Sequence, residues 1–510
     1  MHKDTLDIFS KKNKKTSLVS KKNKFGFFNF SALFSNKILL NKILFTIFMV
    51  ILIRALYTVP LPGVNPDVLR EVFNSASSLQ SQYLFTLFTG GRLDSPSIIG
   101  LGLAAYINAS IIMQLLPYVI PRLKELQKEG EKGKQIINQL TRLITFPLTF
   151  IYGFAYLIII SQTDFSTSLP GLPTGSFLIP HAAGSNIPEL SLLVFMSLIL
   201  AGGTILLMWI GEFITEKGIG NGTTLIIMLG IIANLPSLII QDFQTARFDI
   251  VFSQILSGDF SVFTNNDSLW VLPIVIIGLL LTIALIIFIN ESQRNIQIQY
   301  ARRVRETEQS ASSSLPIRFT VTGVMPVIFA FSFLSVPQLV IPIIRNFESF
   351  KDSSFLLSIE QSFLFSGVGD AGRILDINDL FYEMVLFGFI VLFGLFYAFI
   401  VLNPEETAEN LQKSGGFIPG IRPGKSTQEY FSKVLFRIGL VGSIFLGFVA
   451  LLPFLARFII SIVSSPNYAN LALLTGIGGT SLLILVSGFI EIRRQYAALK
   501  VSNSYTGIAS

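Results

Sequence analysis

The sequence predicts an all-α polytopic membrane protein of ten spans with both termini in the cytoplasm, and three observations carry that prediction. Half of the 510 residues are hydrophobic and only 14% are charged, with a mean hydropathy of +0.64 and 47 phenylalanines, which is far from the balance of a soluble domain. Ten apolar runs follow one another, each near the length of about 20 residues that a helix needs to cross a bilayer. Basic residues are partitioned between the two sides. With the N-terminal arm placed in the cytoplasm, thirty of the 38 lysines and arginines fall on inner segments and seven on outer loops, Arg54 lying within the first span. Basic residues held on the inner side set the orientation of spans, and an odd span count would scramble the partition.

Taken in order, the first 42 residues hold ten lysines and two aspartates and read as a basic cytoplasmic arm. The run LFTIFMVILIRALYTV leads into PLPG and not into a small-residue cleavage site, so it reads as a retained first span. Further runs lie near 103–118, 143–161, 190–210, 223–240, 270–289, 319–343, 381–402, 434–456 and 472–490. The expected organisation is an arm (1–37), a first five-span half (38–242), a second half (243–492) and a cytoplasmic tail (493–510), with large inner loops at 290–316 and 403–433. Five spans followed by five more let the halves insert in opposite orientation, as an inverted repeat requires, although no residue-by-residue symmetry is visible.

Several chemistries are excluded. There is no cysteine, and the two histidines, His2 and His181, lie outside the apolar runs; thiolate sites, zinc-protease motifs and a Ser-His relay within the membrane have no residues to build them. No metal or cofactor is expected. GEFITEKGIGNGTT looks like a phosphate loop but lacks the Lys-Ser/Thr ending and a preceding strand; its glycines fit a sharp span start with Asn221 near the first turn. GVGD, Gly367 to Asp370, has no facing membrane aspartate with which to share a proton.

Other stretches interrupt the apolar pattern. QYLFTLFTGGRLDSPSIIGLG is broken by Gly90, Gly91, Arg92, Asp94 and Pro96, and reads either as a short helix dipping into the membrane, tolerable only where protein or a wet cavity surrounds it, or as a partly structured outer loop. In YINASIIMQLL, Asn108, Ser110 and Gln114 form a polar seam or ordinary interhelical bonds. Arg54 is a functional candidate or a snorkelling side chain. QRNIQIQYARRVR alternates Ile296, Ile298 and Tyr300 with a basic end, which predicts a projecting β-ribbon and not a helix. NPEETAENLQKSGGFIPGIRPGKST, Asn403 to Thr427, projects from the same side, as docking of a large cytosolic partner requires.

PLPGVN, INASIIMQLLP, KEGEKGKQIINQLTR, GEFITEKGIGNG, TGVMPVIFAFSFL and NPEETAENLQKSGGFIPGIRPGKST occur in that order. Together they resemble the bacterial-type SecY family, the channel subunit of the Sec translocon, from about residue 38 to 496. The resemblance implies two inverted five-helix halves around an hourglass pore, a re-entrant plug helix and a lateral gate. It also implies passage of unfolded polypeptides and lateral release of apolar helices, without catalysis, driven by the SecA motor or a translating ribosome. Carried over residue by residue, the hydrophobic pore ring falls at Ile107, Ile111, Ile227, Ile328 and Ile484. The plug falls at Phe88 to Ser97, including Gly90, Gly91, Arg92, Leu93 and Asp94, and the gate at Asn108, Gln114, Asn221 and Ser332. Arg302, Arg303, Arg305, Arg422 and Lys425 fall on the SecA and ribosome docking loops. SecE-like and SecG-like subunits, signal-sequence-bearing polypeptides and anionic lipid are the further partners implied. The membrane would be the bacterial inner (plasma) membrane or a plastid thylakoid. Ala105, Phe213 and Asn108 depart from the family's usual Pro, Gln and Ser. The main alternative, a secondary transporter for a small solute, would need a polar or ionisable site near mid-membrane, and Arg54 aside the spans offer almost none.

Overall fold

A helix covers at least part of every apolar run, because a backbone inside lipid must satisfy its own hydrogen bonds. The computed structural model describes residues 37–65, 97–162, 177–180, 188–245, 268–300, 313–321, 323–345, 377–463 and 479–506. Among them the helices are α1 (Lys37–Tyr57), α2 (Ala104–Val119), α3 (Pro121–Lys128), α4 (Glu131–Gln162), α5 (Leu190–Lys217), α6 (Gly222–Thr245), α7 (Ser268–Glu291), α8 (Met325–Arg345), α9 (Ile377–Val401), α10 (Pro404–Lys413), α11 (Lys425–Val463) and α12 (Gly479–Thr506). Six described helices are long and apolar enough to cross a membrane. A seventh candidate is the pair α2 and α3, bent by 107° where Pro121 opens the second helix. The first parts of α6 and α8 are shorter apolar helices.

Helices α1, α2, α4, α5 and α6 pack as one group and α7, α8, α9, α11 and α12 as another. Small residues set the closest approaches. A Cβ on Gly394 of α9 would lie 2.1 Å from Ser443 Oγ of α11, and one on Gly439 would lie 3.2 Å from Ala398 Cβ, so α9 and α11 run antiparallel with their backbones nearly touching, as small residues permit in membranes. The two groups meet along two lines: α8 lies against α2 and α4, and α6 lies against α12.

The glycine-rich GEFITEKGIGNG is the hairpin between α5 and α6. Gly220 has φ +92°, a region that disfavours side chains, and a Cβ on Gly222 would lie 1.9 Å from the carbonyl oxygen of Gly211. The Gly222 N–H donates to Thr215 Oγ1 at 2.8 Å, and Asn221 Oδ1 accepts from the Thr223 N–H at 3.1 Å. These backbone donors are used within the turn, which explains why the stretch is no phosphate cradle.

The fold departs from all-α at one place. The period of two in QRNIQIQY becomes strand β1 (Gln293–Tyr300), paired antiparallel with β2 (Ser313–Arg318) in the register Ile296 opposite Leu315. Its end pairs with β3 (Gly416–Phe417), so both expected docking loops share one sheet of order β2-β1-β3. The ribbon does not project freely. Ile296, Ile298 and Ile317 are buried with Ala408, Leu411, Ile418, Phe431 and Ile438, a core that seats the sheet on α10 and the start of α11 and fixes which face β1 turns inward.

Candidate functional site

The five isoleucines of the expected ring come from four helices: Ile107 and Ile111 from α2, Ile227 from α6, Ile328 from α8 and Ile484 from α12. All five belong to one apolar cluster, with Ile111 and Ile328 buried and the other three partly buried against it. The same four helices, joined by α4, form the two lines of contact between the groups, so the cluster lies where one group meets the other. Ile107 and Ile111, one turn apart, share a face of α2.

Along the α2/α4–α8 line a polar relay links residues that the sequence offers only singly. Asn108 Nδ2 donates to Tyr152 Oη of α4 at 2.8 Å, with both side chains buried. Tyr152 in turn faces the side chain of Ser335 on α8, while Ser335 Oγ donates to the Ser332 carbonyl at 2.7 Å. A serine hydroxyl has one proton. Ser335 gives that proton to the Ser332 carbonyl, so a bond between Ser335 and Tyr152 would be donated by the Tyr152 hydroxyl, and the side chains follow one another as Asn108, Tyr152 and Ser335 from α2 through α4 to α8. Two expected gate residues, Asn108 and Ser332, are thus joined through two that the sequence reading missed. A tyrosine facing a serine 183 positions later carries no sequence signal.

The remaining gate candidates lie elsewhere. Gln114 Nε2 donates to Ser110 Oγ at 3.1 Å, within α2. Asn221 caps α6 and lines a small cleft whose walls are α6 and α12, not α2 or α8: Thr224, Leu225, Met228, Gly488, Glu491 and Ile492 complete it. Of the expected plug, Phe88, Gly90, Gly91, Arg92, Leu93 and Asp94 lie outside the described residues. Ser97 is buried and bridges to Pro60, and the Ile98 N–H donates to the Val59 carbonyl at 3.2 Å. The turn after Ser97 rests on α5 where Gly203 leaves room, since a Cβ there would lie 2.0 Å from Ile98 O.

Arg302, Arg303 and Arg305 also lie outside the described residues. Arg422 and Lys425 are exposed. The PGIRPG turn is set by Gly420 (φ +81°) and Gly424 (φ +99°), and the Arg422 carbonyl accepts from Thr427 Oγ1 at 2.9 Å. Arg54 does not snorkel: its guanidinium donates to the Leu229 carbonyl of α6 and lies 5.9 Å from the Tyr57 ring centre, which joins α1 to α6. Among the described residues no group of His, Asp and Glu could hold a metal ion.

An apolar cluster at the meeting of two helix groups, a polar relay beside it and a sheet-bearing surface together define a multi-span membrane protein whose solved neighbours are channels. A solved protein-conducting channel aligns over 92% of this chain and 94% of its own at a TM-score of 0.53 with 17% identity. Sec61 in the canine ribosome-channel complex aligns at 0.52 with 16% identity, covering 92% and 94%. Identities this low speak for the fold. The SecY family profile matches residues 97–493. "Protein translocase subunit SecY 1" of Lactobacillus kefiranofaciens subsp. kefiranofaciens is 35% identical over 93% of this chain and 97% of its own length, and the SecY subunit of Mycobacterium bovis is 34% identical over 91% and 96%. The chain belongs to the SecY family.

Proposed function

We propose that the chain is the channel subunit of a protein translocase, passing unfolded polypeptides across its membrane and releasing apolar helices sideways into lipid. One observation carries the reading: five isoleucines from four helices share one cluster between the two lines along which the helix groups meet. An aliphatic collar there closes without directional bonds, resists wetting and deforms around a passing chain. The ten runs are ten spans in two inverted halves with both termini inside. The α2/α4–α8 line is the lateral gate, latched by the Asn108–Tyr152–Ser335 relay, and the stretch ending at Ser97 is the plug beneath the collar.

Nothing in this reading requires catalysis by the chain. Work on the substrate comes from a SecA motor or a ribosome docked on the three-stranded sheet, with Arg422, Lys425 and the arginines at 302, 303 and 305 supplying positive charge; a guanidinium offers bidentate contacts that lysine does not reproduce. SecE-like and SecG-like subunits complete the assembly, anionic lipid suits the basic arm, and the membrane is the bacterial plasma membrane or a thylakoid. The test is translocation of a labelled preprotein into proteoliposomes holding this chain, SecE and SecA. ATP-dependent import that collapses in Arg422→Glu is expected, whereas no import by any form returns the chain to the solute-transporter reading.

A further inference from the structure

One buried amide sits at the root of the three-stranded sheet. Asn290 is the last residue but one of α7, three residues before β1 begins, and is 5% exposed. Its Oδ1 accepts from Thr320 Oγ1, two residues past the end of β2, at 2.7 Å, and its Nδ2 donates to Ser487 Oγ of α12 at 3.0 Å. Thr320 and Ser487 are buried as well. The Asn290 carbonyl accepts from Arg494 at 2.8 Å, and the adjoining Glu291 pairs with Arg493. The two arms of the ribbon close on each other at this level, where the Phe319 N–H donates to the Ser292 carbonyl at 3.1 Å. Helix α11 leaves room for them: a Cβ on Gly442 would lie 2.2 Å from the Phe319 carbonyl oxygen. Helix α12 meets the first half through a separate bond, from the Gly220 N–H to Gln495 Oε1 at 2.7 Å.

We propose that Asn290 is the positioning residue through which a load on the docking sheet reaches the collar. The inference rests on the channel reading above. Both side-chain partners of Asn290 lead to collar isoleucines. Ile484 lies three residues before Ser487 on α12, about 4.5 Å at helical rise, and Ile328, in the first turn of α8, follows Thr320 by eight residues. The amide therefore ties the strand that ends one docking loop to two of the four helices that supply the ring. Apolar surfaces slide at small cost, whereas a hydrogen bond of fixed length and direction carries a pull until it breaks. A planar amide that accepts on one side and donates on the other holds both hydroxyls in place, and burial keeps water from competing for either bond. The two bonds act in series: Thr320 reaches Ser487 through the amide, so losing either opens the link and losing both opens it no further. The core that seats the sheet, Ile296, Ile298 and Ile317 on α10 and α11, is built by other residues. Grip on the motor and transfer of its load are thus separable.

Thr320→Val keeps the shape of the side chain and removes the hydroxyl, Thr320→Ser removes a methyl group and keeps the hydroxyl, and Ser487→Ala opens the other end. Each full-length variant, and the Thr320→Val, Ser487→Ala pair, is reconstituted with its partner subunits and SecA, and import of a labelled preprotein is followed against SecA concentration. Maximal import falls about fivefold in Thr320→Val and in Ser487→Ala, the effect of one hydrogen bond, while the half-maximal SecA concentration and preprotein-stimulated ATP hydrolysis hold within about twofold. Thr320→Ser imports like the wild type, and the pair loses no more than either single variant. A loss in Thr320→Ser as large as in Thr320→Val marks packing and overturns the proposal. So do losses that multiply in the pair, a shift in half-maximal SecA concentration in place of the maximal rate, and import unchanged throughout. All of these leave the channel reading standing, because the wild type imports. No import by the wild type removes the channel reading and the role of Asn290 with it. If Thr320→Val fails to assemble, Ser487→Ala against Ser487→Thr makes the same comparison.

Discussion

Replacing Tyr152 with phenylalanine separates the energy of the closed seam from the energy of the fold. On the proposed gate reading, the Asn108–Tyr152 bond lies within one half and survives opening, whereas a Tyr152–Ser335 bond would cross between halves and be lost. Only an interaction that differs between two states shifts their balance. Tyr152→Phe removes one cross-seam hydrogen bond, worth about 1 kcal/mol net, and raises the open-to-closed ratio about fivefold at room temperature. It also leaves Asn108 Nδ2 without an acceptor in a buried site, which costs about 1–3 kcal/mol of fold stability. Asn108→Ala removes the same intra-half bond without touching Ser335, so it lowers stability and leaves the gate balance nearly unchanged. The assay is single-channel conductance in a planar bilayer, scored as open probability, alongside thermal unfolding in detergent. Ser335→Ala raises open probability to the same degree, and the double variant with Tyr152→Phe adds nothing further, since the two share one bond. Open probability unchanged in Tyr152→Phe, or raised equally in Asn108→Ala, refutes the assignment of the latch.

Asparagine at Ile111 or Ile328 forfeits about 2 kcal/mol of apolar burial and puts an amide without a built partner into the cluster; ion leak rises and preproteins with weakened signal sequences are imported, as conductance and import assays would register. Arg422→Glu changes an exposed turn, so the melting temperature holds while SecA-driven import falls about tenfold, through reversed charge and a lost bidentate donor. Gly222→Ala forces the α5–α6 hairpin apart, because its Cβ would sit 1.9 Å from the Gly211 carbonyl oxygen, and costs about 3 kcal/mol or more, read as lower yield and earlier unfolding. Gly203→Val pushes on the Ile98 carbonyl and unseats the turn that follows Ser97; protease sensitivity near residue 98 would report it.

What the sequence made legible follows from how local each signal is. Apolar length is a property of a window, and every predicted run carries a helix. The alternation of Ile296 and Ile298 announces β1, since a strand turns its side chains with a period of two. The sequence predicts an inner loop over 403–433, yet the stretch from Asn403 to Thr427 holds helix α10. Asn403 Oδ1 accepts from the Glu405 N–H at 3.2 Å, Pro404 opens the helix and Glu405 and Glu406 occupy its first turn. Those are the start signals of a helix, and the burial of Ala408 and Leu411 gives it an inner face. That miss was avoidable. The partnership of Tyr152 with Ser335 and of Gln495 with Gly220 was not, because both depend on which distant helices pack together, and one polar residue on an apolar helix does not say which neighbour it meets. Asn221 shows the same limit: the resemblance groups it with the gate, and its neighbours in the structure, Thr224 to Met228 of α6 and Gly488 to Ile492 of α12, carry no sequence signal that names them.

In the proposed channel, the collar and the latch divide two demands that one set of residues could not meet. A seal that must reform around substrates of any sequence cannot depend on directional bonds, since each passing side chain would leave some donor unpaired. Isoleucine makes none, and its branched Cβ keeps each side chain near one rotamer, so five of them would close the proposed pore with little freedom to lose. Such a seal has no preferred closed register of its own, because apolar surfaces slide at small cost. The relay supplies that register. Its bond across the seam has a fixed length and direction, and it re-forms only when α4 and α8 return to one relative position. Because that bond is worth about 1 kcal/mol net, a signal helix that binds at the parted seam by somewhat more than this can displace it. Charge in the relay would hold the seam too tightly, and an all-apolar seam would not define it. The uncharged Asn, Tyr and Ser found there match the energy that the proposed gate requires if it is to open for a short apolar segment and close after it leaves.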